Sequence, residues 1–376
     1  MTSQVTSEPT TYSDYTVGWV CALPKEQTAA TTMLDRRHPD LPKPLNDHNT
    51  YTLGSVGKHN VVIACLPKGK IGNNAAATVA TRMISTFPSI KFGLMVGIGG
   101  GIPPKVRLGD VVVGIPVGQF PGVVQWDMGK AVKGGGFERT GALNNPPSAL
   151  LTALAKLETD PEMNGSKIPR YLDDLKRNWP RLAPKYLRSN SLKDISFAPE
   201  DFHRSQSRWQ AVFLILWEAI LAFLKYLLGW WAFAPGERGA GDFRSGTVDV
   251  STAGDGGQKR SVWVVGDAEE DKCRVHYGLI ASGNKVIKDA AFRDSLDKSL
   301  DGNVLCVEME AAGLVNDFPC AVIRGICDYA DSQKNKDWQE HAAAVAAAFA
   351  KELLSIVPAQ EVEQMPTINS KGPPAF

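Results

Sequence analysis

Short apolar runs alternate with helical stretches along most of this chain. In the first half, apolar runs bounded by turn residues predict strands at 15–21, 51–56, 61–66, 92–96 and 110–115. Helical sequence begins near Lys25 and again at Asn73, where a Gly-Asn pair opens a stretch that continues to residue 85. The runs 51–56 and 61–66 are separated by so few residues that they predict a hairpin.

The second half repeats this alternation. Apolar runs predict strands at 277–281, 304–307 and 320–326. Helical sequence covers 289–300, begins again near Glu310, and continues at 337–357 with apolar residues spaced three and four apart. Strands that alternate with helices are typical of a mostly parallel or mixed sheet covered on both faces. We therefore predict an α/β fold: a single three-layer domain over 15–357, with a mixed central sheet flanked by helices.

One stretch, 157–262, does not fit this alternation and is interpreted as a large insertion. It begins polar and charged, becomes strongly apolar at 211–234, and ends rich in Gly, Asp and Arg. The apolar part has the length of a membrane span, with tryptophans near its ends. The segments 1–14 and 358–376 lack periodicity and are interpreted as a flexible leader and a flexible tail.

Two observations oppose a membrane span at 211–234. Glu218 and Lys225 lie near its centre, and each costs about 2.5–3.5 kcal/mol on insertion scales. A single crossing would also place the two halves of one sheet on opposite sides of a bilayer. A helix packed on the domain is favoured, and an interfacial membrane helix, a partner-binding element and non-coding sequence in the gene prediction stay open.

Composition and charge narrow the possible ligands. The chain has 43% hydrophobic and 22% charged residues, with a net charge of +1. Because this balance offers no polyanion-binding surface, nucleic acid is not an expected partner. The six cysteines form no CxxC pair and have no histidine at zinc spacing, so we expect no metal and interpret them as reduced thiols of a cytoplasmic protein.

A cluster of glycines follows the strand at 92–96. Gly97 and Gly99 belong to VGIGGG, where the backbone can approach a ligand closely or form a tight structural turn. The cluster is not a Rossmann fingerprint, because Pro103 and Pro104 follow it and no helix can begin there. It is not a P-loop either, because no Gly-Lys-Ser/Thr follows.

Acidic residues follow two strands of the second half. Glu308 and Glu310 in VEMEAAG come after the run 304–307 and would share one face of an extended chain. Asp328 in GICDYAD comes just after the run 320–326. Carboxylates at strand ends lie where α/β proteins bind ligands, suit paired sugar hydroxyls, and in a partly apolar pocket can act as a general acid. Purely structural roles at a helix or turn stay open.

Several segments together, in their order along the chain, resemble a known superfamily. ALPKEQ, VGIGGG, SGN, VEMEA and RGICDYAD resemble the purine nucleoside/uridine phosphorylases, and most closely the methylthioadenosine/S-adenosylhomocysteine nucleosidases and fungal nucleoside-phosphorylase-like domains. The resemblance covers about 15–156 and 263–357. It implies an enzyme that cleaves the N-glycosidic bond of a purine nucleoside, without a metal or organic cofactor, and a homo-oligomer.

The resemblance also implies roles for individual residues. Asp328 falls on the acid that protonates the departing purine at N7, and Glu26 falls on the acid that orients the attacking water. Glu310 falls on the carboxylate that holds the ribose hydroxyls, with Met309 beneath the sugar. Val286 and Ile287 fall in the segment that lines the purine, and Trp338 is a candidate aromatic wall of the site. The other candidate substrate-binding residues are Glu308, Gly97, Ile98 and Gly99.

Water is favoured over phosphate as the nucleophile. Phosphate needs cationic and hydroxyl partners, and the phosphorylases of the superfamily carry Arg and Ser or Thr where Met95 and Ile98 lie here. Glu26 would also repel phosphate. Lys25, Lys70 and Arg324 keep phosphate open as a co-substrate, and a nucleoside-binding module without turnover is a further alternative. Because Ile98 and Val286 replace residue types common in the nucleosidases, the base and the 5′ substituent stay open.

Overall fold

A mixed β-sheet forms the centre of the fold. The computed structural model describes residues 11–42, 44–189, 192, 273–334 and 336–370. The strands are β1 (Val17–Cys21), β2 (Arg36–Arg37), β3 (Tyr51–Val56), β4 (His59–Cys65), β5 (Phe92–Gly101), β6 (Val111–Gly114), β7 (Val123–Gln125), β8 (Gly129–Val132), β9 (Gly136–Arg139), β10 (Val275–Ser282), β11 (Val304–Glu308) and β12 (Cys320–Asp328).

Helices cover the sheet. They are α1 (Pro24–Thr32), α2 (Asn73–Thr86), α3 (Ser148–Asn164), α4 (Ile168–Asn178), α5 (Ala183–Tyr186), α6 (Ala290–Ser299), α7 (Gln339–Ile356) and α8 (Ala359–Gln364). Short 3₁₀ helices lie at Tyr12–Asp14, Ala311–Gly313 and Ile368–Ser370. The predicted α/β class and mixed sheet are confirmed.

The order of the strands brings the carboxyl ends of β5, β11 and β12 together. Strands β12, β5, β1 and β4 run parallel as neighbours, and β6 joins β12 in the antiparallel direction. β10 pairs in parallel with both β6 and β11. β11 then pairs with the end of β5, where Val307 lies opposite Gly100, so five strands form a closed ring. β5 is ten residues long, and within the ring it pairs with β12 along most of its length and with β11 at its end.

The alternation of side chains along the strands divides the core between the two faces of the sheet. In β1, Val17 and Trp19 face the helices α1, α3 and α7, whereas Val20 faces α2. In β5, Leu94 and Met95 divide in the same way. Because successive side chains of a strand point to opposite faces, fully apolar strands indicate a sheet covered on both sides. The apolar runs of the sequence therefore predicted a sheet covered by helices on both faces.

The boundaries of the predicted insertion and tail differ from the structure. Residues 157–189 were assigned to the insertion, but α3, α4 and α5 place apolar side chains in the core, among them Leu157, Ile168, Leu175 and Tyr186. Val362 and Ile368, assigned to the tail, are also buried. Only the end of α3 lies in this range, and α4 and α5 bury few residues each. Because most of their residues are polar, the sequence pattern did not indicate that they pack on the core. The rest of the insertion, including 211–234, lies outside the described residues.

Within the described ranges, no single helix combines the length and the apolar composition that a membrane crossing needs. One pair of helices in the described part of the chain, α7 with 359–370, meets both together, and it is bent by 81° between its two parts.

Candidate active site

Glu26 lies in the first turn of α1, directly beyond the carboxyl end of β1. Its side chain is 3% exposed. One carboxylate oxygen, Oε2, accepts hydrogen bonds from the backbone N–H groups of Ala22 and Leu23 at 2.7 and 2.9 Å. The other, Oε1, accepts from Ile98 N at 2.9 Å. Burial raises the pKa of Glu26, although Arg324 and these backbone donors oppose the rise. Glu26 therefore joins the end of β1 to the glycine segment of β5.

Arg324 is the buried cation of the site. It lies in the middle of β12 with no exposed surface, and its Nη2 forms ion pairs with Glu308 and, at 3.8 Å, with Glu310. Burial opposes its charge, but Glu308, Glu310 and Glu26 outweigh burial and raise its pKa. Its Nε and Nη1 atoms have no hydrogen-bond partner among the described residues. A buried donor without a partner is costly, so we expect a ligand or water to accept hydrogen bonds from these two atoms.

Gly97 explains how Glu26 and Arg324 come together. It lies opposite Arg324 in the pairing of β5 with β12. A methyl group at this position would be 2.5 Å from both Arg324 Nη1 and Glu26 Oε1. A side chain at this position would therefore force the charged end of Arg324 or of Glu26 to move. The glycine cluster is therefore where two charged side chains cross the face of β5, and Gly99 likewise packs against Arg324 and the carbonyl of Val307.

Glu308 and Glu310 are close together but have different surroundings. Glu308 ends β11, and besides its pairing with Arg324 it accepts hydrogen bonds from the N–H groups of Glu310 and Ala311. Glu310 lies outside the strand, before the 3₁₀ turn Ala311–Gly313, where a longer helix was predicted. Among the described residues, its Oε1 accepts one hydrogen bond, a long one of 3.4 Å from Gly72 N. Glu308 is thus occupied by the protein, whereas Glu310 is the carboxylate with capacity left for a ligand.

The pKa of Glu310 reflects this crowding and gives a testable pH dependence. Burial raises it from 4.5 to about 7, the Glu308 carboxylate adds to the rise, and Arg324 opposes it. A carboxyl group whose pKa is higher in the folded state stabilises the fold below its ordinary pKa and loses this contribution as pH rises to the folded value. Wild-type protein should therefore lose stability relative to Glu310→Gln between pH 4.5 and about 7.

Urea denaturation of both proteins at a series of pH values measures this difference. Glu361→Gln, at an exposed position of α8, serves as the control. The difference in stability between this variant and wild type should stay constant across the same pH range. A difference between wild type and Glu310→Gln that stays constant with pH would contradict this account of Glu310.

Asp328 is the last residue of β12 and is 4% exposed. Its Oδ1 accepts a hydrogen bond from Ala330 N at 2.9 Å. Its Oδ2 accepts from the thiol of Cys327 at 3.1 Å and pairs with Lys334 Nζ at 2.9 Å. Gly100 lies alongside, and a methyl group there would be 2.9 Å from Asp328 Oδ1. The predicted acid is therefore held at the same sheet edge as the glycine segment.

The remaining candidates lie around this edge with different exposures. Met309 is half-buried between the two glutamates. Val286 is 49% exposed, whereas Ile287 is 7% exposed and belongs to a separate apolar cluster with Trp126. Trp338 is buried and packs against Cys327, with the Arg188 guanidinium 5.6 Å from its ring. Contact of these residues with a purine stays a prediction.

The SGN segment, which the sequence left without a role, connects the loops of the site. The hydroxyl of Ser282 accepts a hydrogen bond from Ala312 N, and Gly283 N donates to the Glu308 carbonyl. Asn284 Oδ1 accepts from Asn73 N at 3.0 Å, which fixes the start of α2 beside Glu310. This segment therefore holds the turn that carries Glu308 and Glu310.

The cations considered for phosphate differ in their surroundings. Lys25 is bound to Glu340 and Gln339 at 2.7 and 3.0 Å, and Lys70 is exposed on the loop before α2. Met95 is fully buried in the core. Among the described residues, no group of three or more His, Cys, Asp or Glu side chains is arranged to hold a metal ion.

Comparisons with known proteins give relatives of two kinds. No protein-family model matches the chain. A nucleotide-binding leucine-rich repeat (NLR)-like protein of Hyaloscypha variabilis is 42% identical over 354 residues, which are 93% of this chain but 30% of the relative's length. The 5′-methylthioadenosine/S-adenosylhomocysteine nucleosidase of Mycobacterium bovis is 23% identical over 349 residues, which are 91% of this chain and 97% of that protein.

Solved structures share the fold. The 5′-methylthioadenosine/S-adenosylhomocysteine nucleosidase of Helicobacter pylori aligns with a TM-score of 0.51 at 15% identity, covering 91% of this chain and 98% of that one. The corresponding enzyme of S. pneumoniae, solved with a transition-state inhibitor, aligns with a TM-score of 0.50 at 15% identity, covering 91% and 100%.

Proposed function

We propose that this chain, which has the fold of the nucleoside phosphorylase and nucleosidase superfamily, hydrolyses the N-glycosidic bond of a purine nucleoside to the free base and ribose. One observation carries the proposal: Glu26, Glu308 and Glu310 surround the buried Arg324, with Asp328 at the end of the same strand. Several acids at one sheet edge match a reaction in which charge develops on both the base and the sugar.

The roles of the residues follow from the hydrogen-bonding capacity that each side chain has free for a substrate. Asp328 gives a proton to N7 of the purine while the bond from C1′ of the ribose to N9 breaks and its electron pair stays with the base. Glu310 holds the ribose hydroxyls, because the long bond from Gly72 leaves it acceptor capacity. Its carboxylate also favours the positive charge on the sugar. Met309 packs beneath the ribose.

Water reaches C1′ from the side of Glu26 and Arg324. The free Nη1 donor of Arg324 and the Oε1 of Glu26 lie together beside Gly97, so one water molecule can donate to the carboxylate and accept from the guanidinium. A carboxylate whose pKa is raised by burial is a better proton acceptor at neutral pH. As in glycoside hydrolysis, one group assists departure and another activates water on the opposite face.

The charge around Arg324 disfavours phosphate as the nucleophile. Three carboxylates already surround this cation, and a phosphate dianion beside them would be repelled. Lys25 is paired with Glu340, so it adds no free charge. Phosphorolysis would require these carboxylates to be neutralised or moved.

The nucleophile and substrate are tested by product analysis. Purified protein is incubated with adenosine, inosine, guanosine or methylthioadenosine, with and without phosphate. We expect free base and free sugar in both conditions. Ribose 1-phosphate formed strictly with phosphate would replace hydrolysis by phosphorolysis.

The role of Glu26 is tested by Glu26→Gln, which keeps the side-chain shape but removes the proton acceptor. We expect kcat to fall by about 10²-fold. Glu340→Gln, on the partly exposed start of α7, is the matched control and should retain activity. A Glu26→Gln protein with wild-type kcat would remove Glu26 from the mechanism.

A second candidate function rests on the NLR-like relative, of which this chain spans 30%. In such a context the same site would recognise a nucleoside without turnover, as a module of a larger protein. Calorimetric binding of a purine nucleoside with no product over hours would favour this function over hydrolysis.

A further inference from the structure

Lys334 lies beside Asp328 in a loop that the proposed mechanism does not use. Its Nζ is 2.9 Å from Asp328 Oδ2, and its side chain is 26% exposed, whereas that of Asp328 is 3% exposed. The backbone N–H of Lys334 donates to the carbonyl of Asp331, which fixes the loop on the end of β12. The ammonium group therefore covers the outer side of a buried carboxyl.

This ion pair differs from the ordinary surface pairs of the protein. Lys25 and Glu340 are each 25% exposed, so water screens their attraction, and such pairs contribute little. The Asp328 carboxyl is instead almost fully buried, and an uncompensated carboxylate there would be costly. Lys334 therefore acts on the group that we assign as the acid.

We propose that Lys334 is a positioning residue that stabilises the carboxylate formed when Asp328 gives its proton to the departing base. This inference rests on the proposed hydrolysis. In that step the bond between C1′ and N9 breaks, its electron pair stays on the purine, and the Asp328 proton moves to N7. The new negative charge on Asp328 then lies between Lys334 Nζ and Ala330 N–H, while water adds to C1′ and gives its proton to Glu26.

Asp328 is also faced by groups from its own strand and from the elements packed against it. From its own strand comes Cys327, whose pKa is raised by burial and by Asp328, so its thiol stays neutral. The facing strand β5 brings Gly100, which has no charge, and Glu26 of α1 acts on the same thiol. Among the described residues that face Asp328, Lys334 is thus the one that supplies positive charge at hydrogen-bond distance.

Removing the charge should slow the chemical step and leave substrate binding unchanged. Without the ammonium, the carboxylate left on Asp328 as the base departs has no cation at hydrogen-bond distance among the described residues. In Lys334→Met we therefore expect kcat to fall by about 10-fold, a part of what a general acid contributes, with little change in KM. Lys334→Arg should restore kcat.

Lys336→Met is the matched control, because Lys336 is exposed on the same loop. It should leave kcat unchanged. A Lys334→Met protein that keeps wild-type kcat, or a loss of kcat that Lys334→Arg does not restore, would overturn the proposal.

A second measurement keeps this test separate from the test of hydrolysis. Binding of hypoxanthine and of adenine is measured by calorimetry, with no turnover required, in wild type, Lys334→Met, Asp328→Asn and the double variant. If no variant forms product, the proposed function fails, yet Lys334→Met should still change the affinity for purine when Asp328 is present and not when it is replaced by Asn. An equal effect of Lys334→Met in both backgrounds would overturn the role of Lys334.

Discussion

Replacing Asp328 by Asn is expected to lower kcat by about 10³-fold or more, because the reaction loses its proton donor to the base. Asn keeps the shape and can accept the hydrogen bond from Ala330 N that fixes the wild-type side chain. The fold should therefore survive, as circular dichroism and thermal unfolding would show. Steady-state hydrolysis of the best nucleoside substrate measures the loss.

Asp331→Asn provides the matched control for Asp328. Asp331 lies three residues further along the chain, in the loop after β12, is 9% exposed, and accepts a hydrogen bond from Gln333 N. Its replacement tests whether any change of charge in this loop affects turnover, and we expect kcat near that of wild type. An Asp328→Asn protein with unimpaired kcat would exclude acid catalysis by this residue.

Replacing Arg324 by Met is expected to lower the free energy of unfolding by about 3–5 kcal/mol, since it leaves buried carboxylates without their cation. The nearest of these is Glu308, which keeps only its backbone donors. Activity should fall with stability, because the site also loses the donors that hold water. Urea denaturation gives the stability, and assays at low temperature give the activity of the folded fraction.

Two variants separate the charge of Arg324 from its packing. Arg324→Met combined with Glu308→Gln should recover part of the stability but not the activity, because the charge is removed and the water donors stay absent. Arg293→Met replaces another buried arginine, whose partner Asp294 is 29% exposed and can remain solvated. It should cost less than Arg324→Met. Equal losses in both arginine variants would contradict a special role for the carboxylate cluster.

The resemblance predicted catalytic and binding roles for the acids, but not for the cation that lies between them in the structure. Arg324 is part of RGICDYAD and alternates with Ile326 and Asp328, so a strand places all three on one face. That spacing was a usable signal, yet Arg324 was considered only as a partner of phosphate. Whether a buried arginine meets phosphate or carboxylates depends on elements distant in sequence, here β11 with the turn after it and the first turn of α1.

Glu308 and Glu310 also differ between the prediction from local spacing and the tertiary structure. Their spacing predicted side chains on a shared face of a strand, but β11 ends at Glu308 and the chain turns. Glu308 consequently binds Arg324, and Glu310 remains available. The turn is stabilised by contacts with the SGN segment and α2, which no local pattern records.

Local pattern by itself determined the α/β class, most strand and helix positions, and the acids that follow the strands. It could do so because periodicity and turn residues act between near neighbours in the chain. Tertiary structure alone decided the closure of β11 on β5, the packing of 157–189 on the core, and the grouping of three glutamates around Arg324. These features depend on burial and charge between residues far apart in the sequence, where the free energy of each contact depends on all the others around it.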